Sequence, residues 1–249
     1  MHESAITEKT GAPTLALLAS EPLRAAYEYA SMKLTPFPVA PAGDGHGVVV
    51  FPGLATDSTS TRPLRRYCAA LGYAAYDWGR GYNLGPRGDI DEWLLDLSLH
   101  VAEFTAEHND GLSLIGWSLG GLYARELAKL MTGRIRQVIT IGTPFAGDAQ
   151  QTNARWLFRA VNGAEPALNN AMLARLRTPP PVPTTSIFSR SDGVVNWNAC
   201  RHAVDHRLTQ DIEVNGSHCG LAWNSQVLAI IGDRLAQDPK RWKRFRATQ

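Results

Sequence analysis

Gly116-Trp117-Ser118-Leu119-Gly120 sets a serine between two glycines, directly after the apolar run 112–115 and directly before leucines at helical spacing, Leu119, Leu122, Leu127 and Leu130. A serine at the break from strand to helix is held in a strained backbone conformation, and its neighbours must be small because a Cβ there collides with adjacent backbone. The hydroxyl is thereby lifted clear of the strand end. Roughly 0.1 chance matches to such a pentapeptide are expected at this composition, so the weight rests on the strand before it, the helix after it and the further Gly121. A serine hydroxyl is a poor nucleophile at neutral pH; it needs an imidazole beside it, and the imidazole needs a carboxylate to fix its tautomer. Both follow in the chain. Ser191-Asp192-Gly193-Val194-Val195 comes after the run ending at residue 188, and Gly216-Ser217-His218 after the run ending at 214. The chemistry expected of these residues is nucleophilic attack, with Ser118 as nucleophile, His218 as general base and Asp192 as the acid that orients it.

Other residues compete for these roles. Asp148, Asp77, Asp205 and Glu213 are rival acids; Asp148 lies past Gly142-Thr143-Pro144, and Asp77 near a strand end suits a turn-capping role. Among histidines, His218 stands in a Gly-flanked loop after the last strand, whereas His46, His100, His108, His202 and His206 fall in a linker or on helical and loop segments, and His2 in the tail. Cys219 has no comparable turn around it and reads as a small buried neighbour. His202 and His206 have the helical spacing of a zinc pair but no third ligand or glutamate with them, so no metal is expected.

The elements that must position the three groups are visible as alternation. Runs 48–51, 73–76, 112–115, 138–141, 185–188 and 212–214 have strand length, and between them 63–71, 91–107 and 119–130 have helical spacing. Several strands are apolar on both sides, which calls for a mostly parallel sheet covered on both faces, a doubly wound α/β architecture. Catalytic groups of such sheets collect beyond the carboxyl ends of the strands, which brings the three loops to one crevice. Two helical patterns, 152–161 and 166–176, and a stiff proline segment at 179–183 intervene without a strand between residues 141 and 185, and read as a cap of about residues 145–183 over that crevice. Trp156, Leu157, Phe158, Val161, Leu168, Met172, Leu173 and Leu176 make it apolar, suiting either packing or the lining of an acyl pocket. Trp117, Phe145 and Trp156 are the candidate substrate contacts, and Trp78, Tyr82 and Asn83 follow another strand and flank the site.

Ahead of this domain, 1–13 reads as a flexible tail, 15–32 as a helix with Leu15, Leu18, Leu23, Ala26 and Tyr27 on its apolar side, and 36–47 as a linker. The expected division is therefore 1–47 tail, helix and linker, and 48–249 the main domain. The 249 residues, 44% hydrophobic, suffice for one large core. A net charge of +2 is too mild for a nucleic-acid binder, and the basic run 240–246 reads as a solvated chain end. Three cysteines leave an odd thiol, which fits the cytoplasm better than a secreted disulfide scaffold, and no stretch suits stable membrane insertion. Oligomeric state has no signal in the sequence.

Taken together, Val48-Val49-Val50-Phe51-Pro52-Gly53-Leu54, Gly116-Trp117-Ser118-Leu119-Gly120-Gly121, Ile141-Gly142-Thr143-Pro144, Ser191-Asp192-Gly193-Val194-Val195 and Gly216-Ser217-His218 resemble the α/β-hydrolase superfamily, in particular its lipases and esterases. The resemblance spans about residues 48–236. It departs where many lipases carry His-Gly, here Pro52-Gly53, and Thr-Pro-His, here Thr143-Pro144-Phe145. It implies the α/β-hydrolase fold with the cap inserted after the family's sixth-strand region, here after run 138–141. It further implies an oxyanion hole from the Leu54 and Leu119 amides, no cofactor, and hydrolysis of a small-molecule carboxylic ester. An acyltransferase with the same triad and a non-catalytic binding protein of the same fold are the alternatives.

Overall fold

In the computed structural model, which describes residues 11–147 and 170–246, the apolar runs pair into a six-stranded, wholly parallel sheet. Chain order is α1 (Leu15–Leu34), β1 (Gly47–Phe51), α2 (Arg62–Ala70), β2 (Ala74–Asp77), α3 (Ile90–Thr105), β3 (Leu112–Trp117), α4 (Leu119–Leu130), β4 (Ile135–Ile141), α5 (Asn170–Arg177), β5 (Thr184–Phe188), β6 (Thr209–Glu213) and α6 (Ser225–Leu235). Spatial order is β2-β1-β3-β4-β5-β6.

Period-two alternation divides the core. Val48, Val50, Ile115, Trp117, Ile139, Ile141 and Ile187 meet the inner sides of α2 and α6. Val49, Phe51, Leu112, Leu114 and Val138 meet Leu94, Leu97 and Val101 of α3 and Tyr123 and Leu127 of α4. Both faces are covered, so the central strands are buried at nearly every position, which is why they read as near-continuous apolar runs. Because the strands are parallel, their carboxyl ends share one edge of the sheet. Loops leaving β1, β3, β4, β5 and β6 therefore lie side by side there.

Strand ends differ modestly from expectation. β6 starts at Thr209, three residues before its apolar run, because it pairs along the whole of β5 while Gln210 and Asp211 stay half-buried on the sheet's edge. The insertion follows the fourth of the six strands, and the expected 166–176 helix is present as α5. The helix expected at 152–161, with Trp156, and Asp148 lie outside the described residues. The basic run 240–246 is less detached than expected: Phe245 packs on the core and exchanges hydrogen bonds with Gln210, while the Arg234 guanidinium donates to the Lys243 carbonyl at 2.6 Å.

The orientation of α1 reverses the sequence expectation. Leu23 and Tyr27 are 78% and 74% exposed, whereas Glu21 is 4% exposed. Leu15, Leu23 and Tyr27 face outward, and the side that carries Leu17, Glu21, Arg24 and Glu28 is turned onto the loops that follow β5 and β6.

Candidate active site

Ser118 joins β3 to α4 with φ 54° and ψ −122°, a left-handed conformation that strains any residue with a side chain. The strain is maintained by what surrounds it. The Ser118 amide donates to the Ile141 carbonyl at 2.8 Å, pinning the turn to β4, and the Ser118 carbonyl accepts from Gly121 at 3.0 Å. Neither flanking glycine has room for a methyl: a Cβ on Gly116 would strike the backbone of Gly120 and Gly121, and one on Gly120 would lie 2.6 Å from the Pro52 carbonyl oxygen and closer still to that of Phe51. Gly120→Ala is expected to lower stability by about 1–3 kcal/mol or more, since backbone rather than a flexible side chain must yield. A drop in the urea midpoint at constant slope is the readout, and an unchanged midpoint would refute this packing argument.

Asp192 and His218 reach the serine from the loops after β5 and β6. The Val194 and Val195 amides donate to Asp192 Oδ1 at 2.8 and 2.7 Å, which fixes the carboxylate and leaves Oδ2 for the histidine. His218 Nδ1 lies 2.6 Å from that oxygen, and Nε2 lies 3.0 Å from Ser118 Oγ. A carboxylate can only accept, so Nδ1 carries the proton and Nε2 is left to accept from the serine hydroxyl. Burial disfavours the charged imidazole, but the charge and hydrogen bond of Asp192, reinforced by Glu21, outweigh it and hold the His218 pKa above its ordinary value. The imidazole is thus both oriented and made more basic.

Two backbone amides stand near the serine in the chain or in space, that of Leu119 next to it in sequence and that of Leu54 next to Gly53. Gly53 packs on Ser118, since a Cβ built there would sit 3.4 Å from Ser118 Cβ, so the loop after β1 borders the serine. Among the described residues, neither the Leu54 amide nor the Leu119 amide at the start of α4 has an acceptor. The loop carrying Leu54 is tied down by Asn83, which is fully buried: its side-chain nitrogen donates to the Pro52 carbonyl at 2.8 Å, and its backbone exchanges bonds with Ala55 and Thr56, each at 2.7 Å. Tyr123 of α4 donates to Asn83 Oδ1 at 3.0 Å, and burial pushes its phenol pKa well upward, keeping that proton in place.

The other expected positions separate clearly. Trp117 is 5% exposed and its indole donates to the His218 carbonyl at 3.1 Å, so its ring packs in the core and holds the His218 backbone instead of lying open at the surface. Phe145 is 1% exposed, lying under the Arg125 guanidinium at 3.7 Å and beside His202, which takes up its surface. Among the rival acids, Asp77 caps a turn through Gly79, Asp205 pairs with Arg244, and Glu213 pairs with Arg190. His202 holds Asp211 at 2.6 Å, and no group of side chains fit for a metal ion occurs among the described residues. Cys68, Cys200 and Cys219 are free thiols, the first two buried.

A second aspartate–histidine–serine chain occurs at the opposite end of the sheet. His46 contacts Asp44 through Nδ1 and Ser113 Oγ through Nε2 at 2.8 Å, yet Ser113 is fully buried inside β3. Burial lowers the His46 pKa, with Asp44 opposing. The same three side chains without an accessible hydroxyl amount to a satisfied core network. Access, not the side-chain set alone, distinguishes Ser118.

Six parallel strands wrapped by helices on both faces, with an accessible serine at the strand-to-helix break and an imidazole arriving after the last strand, are the layout of α/β hydrolases. The chain belongs to the alpha/beta hydrolase family, which its sequence matches over residues 48–247. No curated protein matches it in sequence. Among solved structures it is similar to lipase B of Aspergillus fumigatus, with a TM-score of 0.61 at 17% identity, covering 83% of this chain and 58% of that one. It is also similar to a 2-hydroxy-6-oxo-6-phenylhexa-2,4-dienoate hydrolase from Rhodococcus sp. strain RHA1, with a TM-score of 0.56 at 14% identity, covering 76% and 90% of the two chains. A monoacylglycerol lipase from Paleococcus ferrophilus gives 0.53 at 15% identity, covering 78% and 96%. The chain thus spans little more than half the length of the Aspergillus lipase, and these likenesses show the fold. No helix among the described residues is long and apolar enough to cross a membrane.

Proposed function

We propose that this α/β hydrolase cleaves uncharged carboxylic esters of short to medium acyl length through an acyl-enzyme on Ser118. The observation that carries the reading is the continuous hydrogen-bond chain from Asp192 through His218 to a serine hydroxyl that is not buried. Ser118 Oγ attacks the acyl carbon and gives its proton to His218 Nε2, while Asp192 stabilises the imidazolium that forms. The Leu54 and Leu119 amides hold the tetrahedral oxyanion, the second aided by the positive end of α4. Collapse breaks the ester bond, and the leaving alkoxide takes the proton from Nε2. Water then attacks the acyl-enzyme, giving its proton to Nε2, which returns it to Ser118 as the acid departs. The lipases among the structural neighbours agree with an ester as substrate, and the apolar residues expected in the cap suit an uncharged acyl chain. The unpaired thiols fit the cytoplasm as its setting.

A panel of p-nitrophenyl esters of graded acyl length tests this, with turnover expected on the short and medium members. No turnover on any member overturns the ester reading, and transfer of the acyl group to added alcohols in place of its release as free acid would make the protein an acyltransferase. Asn83 offers a separate check on the oxyanion site. Asn83→Ala leaves the Pro52 carbonyl unpaired and frees the loop bearing Leu54, so kcat should fall about 100-fold with KM within a few-fold, a misplacement of the reacting geometry more than a loss of binding. Equal kcat in the variant would remove Leu54 from the site.

A further inference from the structure

The N-terminal helix α1 carries the feature that neither the family match, which begins at residue 48, nor the reaction described above accounts for. Leu17, Glu21, Arg24 and Glu28 fall at i, i+4, i+7 and i+11, one face of a helix, and that face is turned onto the loops bearing Asp192 and His218. Glu21 Oε1 accepts from the Gly193 amide at 2.7 Å and from the His218 amide at 3.0 Å. Its second oxygen accepts from the Cys219 amide at 3.3 Å. Arg24 completes the arrangement by donating to Glu21 at 2.7 Å and to the Ser191 carbonyl at 2.7 Å. One turn further, Glu28 accepts from the Ser217 amide at 2.8 Å and from its hydroxyl at 3.0 Å. The fit is close enough to constrain the loop sequence: a Cβ on Gly193 would lie 2.5 Å from the Leu17 carbonyl oxygen, and one on Gly220 would overlap the Glu28 carboxylate.

We propose that Glu21 is a positioning residue for the reaction, a buried carboxylate on α1 that ties the loop of the acid to the loop of the base. The proposal rests on the reading of Ser118, Asp192 and His218 as the catalytic groups. The two loops leave different strands, β5 and β6, and the ladder between those strands ends at Phe188 and Glu213. Beyond that point the loops meet at Gly216, whose carbonyl accepts from the Ser189 and Ser191 hydroxyls at 2.8 and 3.1 Å, but neither bond joins the backbone beside Asp192 to that of His218. Glu21 does so by accepting, on one oxygen, an amide from each loop, one residue after the acid and at the base itself. Its charge also favours the imidazolium that develops when Ser118 gives up its proton. The groups facing His218 are Asp192 from the loop after β5, Glu21 from α1 with Arg24 paired to it, Ser118 and the uncharged Trp117 from β3, and the Gly142 backbone after β4. Glu21 and Asp192 therefore push the imidazole the same way, and Arg24, paired to Glu21, carries the opposite charge.

The test compares wild type, Glu21→Gln, Glu21→Ala and, as a control on the exposed side of the same helix, Tyr27→Ala, all as the full chain. The rate of Ser118 labelling by a fluorophosphonate is read first, then kcat and KM on an ester that the wild type turns over, across pH. Glu21→Ala should label about 100-fold more slowly and lose kcat to the same degree with KM within about threefold, as expected for catalytic groups displaced by about an ångström. Glu21→Gln keeps the side chain's shape and loses its charge; the acid limb of its kcat/KM profile should move to lower pH. Tyr27→Ala should match the wild type in both readouts. If the wild type labels and Glu21→Gln and Glu21→Ala, at temperatures where both are folded, label at its rate with its pH profile, Glu21 is a structural contact only and the proposal falls. If the wild type itself does not label, the assignment of Ser118 falls first and takes the positioning role with it. Should Glu21→Ala fail to fold, the pH profile of Glu21→Gln decides, since a purely structural carboxylate has no reason to move it.

Discussion

Ser118→Ala is expected to leave a folded protein that takes no label from a fluorophosphonate and turns over esters at least about 10⁴-fold more slowly than the wild type. The size follows from what is removed. In the proposed mechanism, without Oγ there is no nucleophile to form the acyl-enzyme, while the Leu54 and Leu119 amides and His218 remain to assist attack by water directly, and groups of that kind sustain only a small residual rate over solution. Folding should survive because the strained turn is held by backbone contacts to Ile141 and by the packing of Gly116 and Gly120, none of which needs the hydroxyl. Mass spectrometry of the labelled wild type and variant, with circular dichroism on both, checks the prediction. Label on the alanine variant, or substantial turnover by it, would mean that another residue attacks.

Asp192→Asn should cost about 10⁴-fold in kcat with the geometry of the site intact. Asparagine can still accept the Val194 and Val195 amides through its carbonyl, but its NH₂ group then faces His218 Nδ1, which reverses the tautomer and places a proton on Nε2 where a base is needed. Retained labelling would move the acid to Asp148. The same variant has a pH signature. Because Asp192 is the principal influence raising the His218 pKa, the wild-type acid limb of kcat/KM should lie above the ordinary histidine value of about 6.5, where the imidazole becomes neutral, and the residual activity of Asp192→Asn should lose its acid limb only at lower pH. Stability follows the opposite sense. A pKa raised by folding contributes stability that is fully present below about pH 6.5 and is lost as pH rises through the folded value, so Asp192→Asn should lose more in thermal midpoint at about pH 5.5 than at about pH 8.5. An equal loss at both would show that the imidazole is not held charged by this carboxylate.

Much of the site was legible because its signals are local. A serine between glycines at a strand-to-helix break, and an aspartate and a histidine just past two strand ends, announce themselves within a few residues each, and a parallel sheet brings such loops together without further information. The residues that support them were harder to read. Trp117 and Phe145 looked like substrate contacts from their places beside Ser118 and after Thr143-Pro144, but a large aromatic side chain next to a site serves equally to hold it up, and only the direction of the ring decides. His46 looked like a linker histidine; it is buried against Ser113, 67 positions away. Asn83 was legible as flanking the site but not as the tie on the loop after β1.

The amino-acid sequence alone determined the doubly wound sheet, the chain order of serine, aspartate and histidine, and the strained turn, because each depends on residue types a few positions apart and on sterics that no distant contact can override. Tertiary structure decided which way α1 faces. By hydrophobicity its leucines belong inside, and it is instead turned with Glu21 inward, because a carboxylate surrounded by backbone amides from residues 172 and 197 positions away is satisfied on burial. Such a partnership has no local trace, since the donors are main-chain groups that every residue carries and only folding brings to one point.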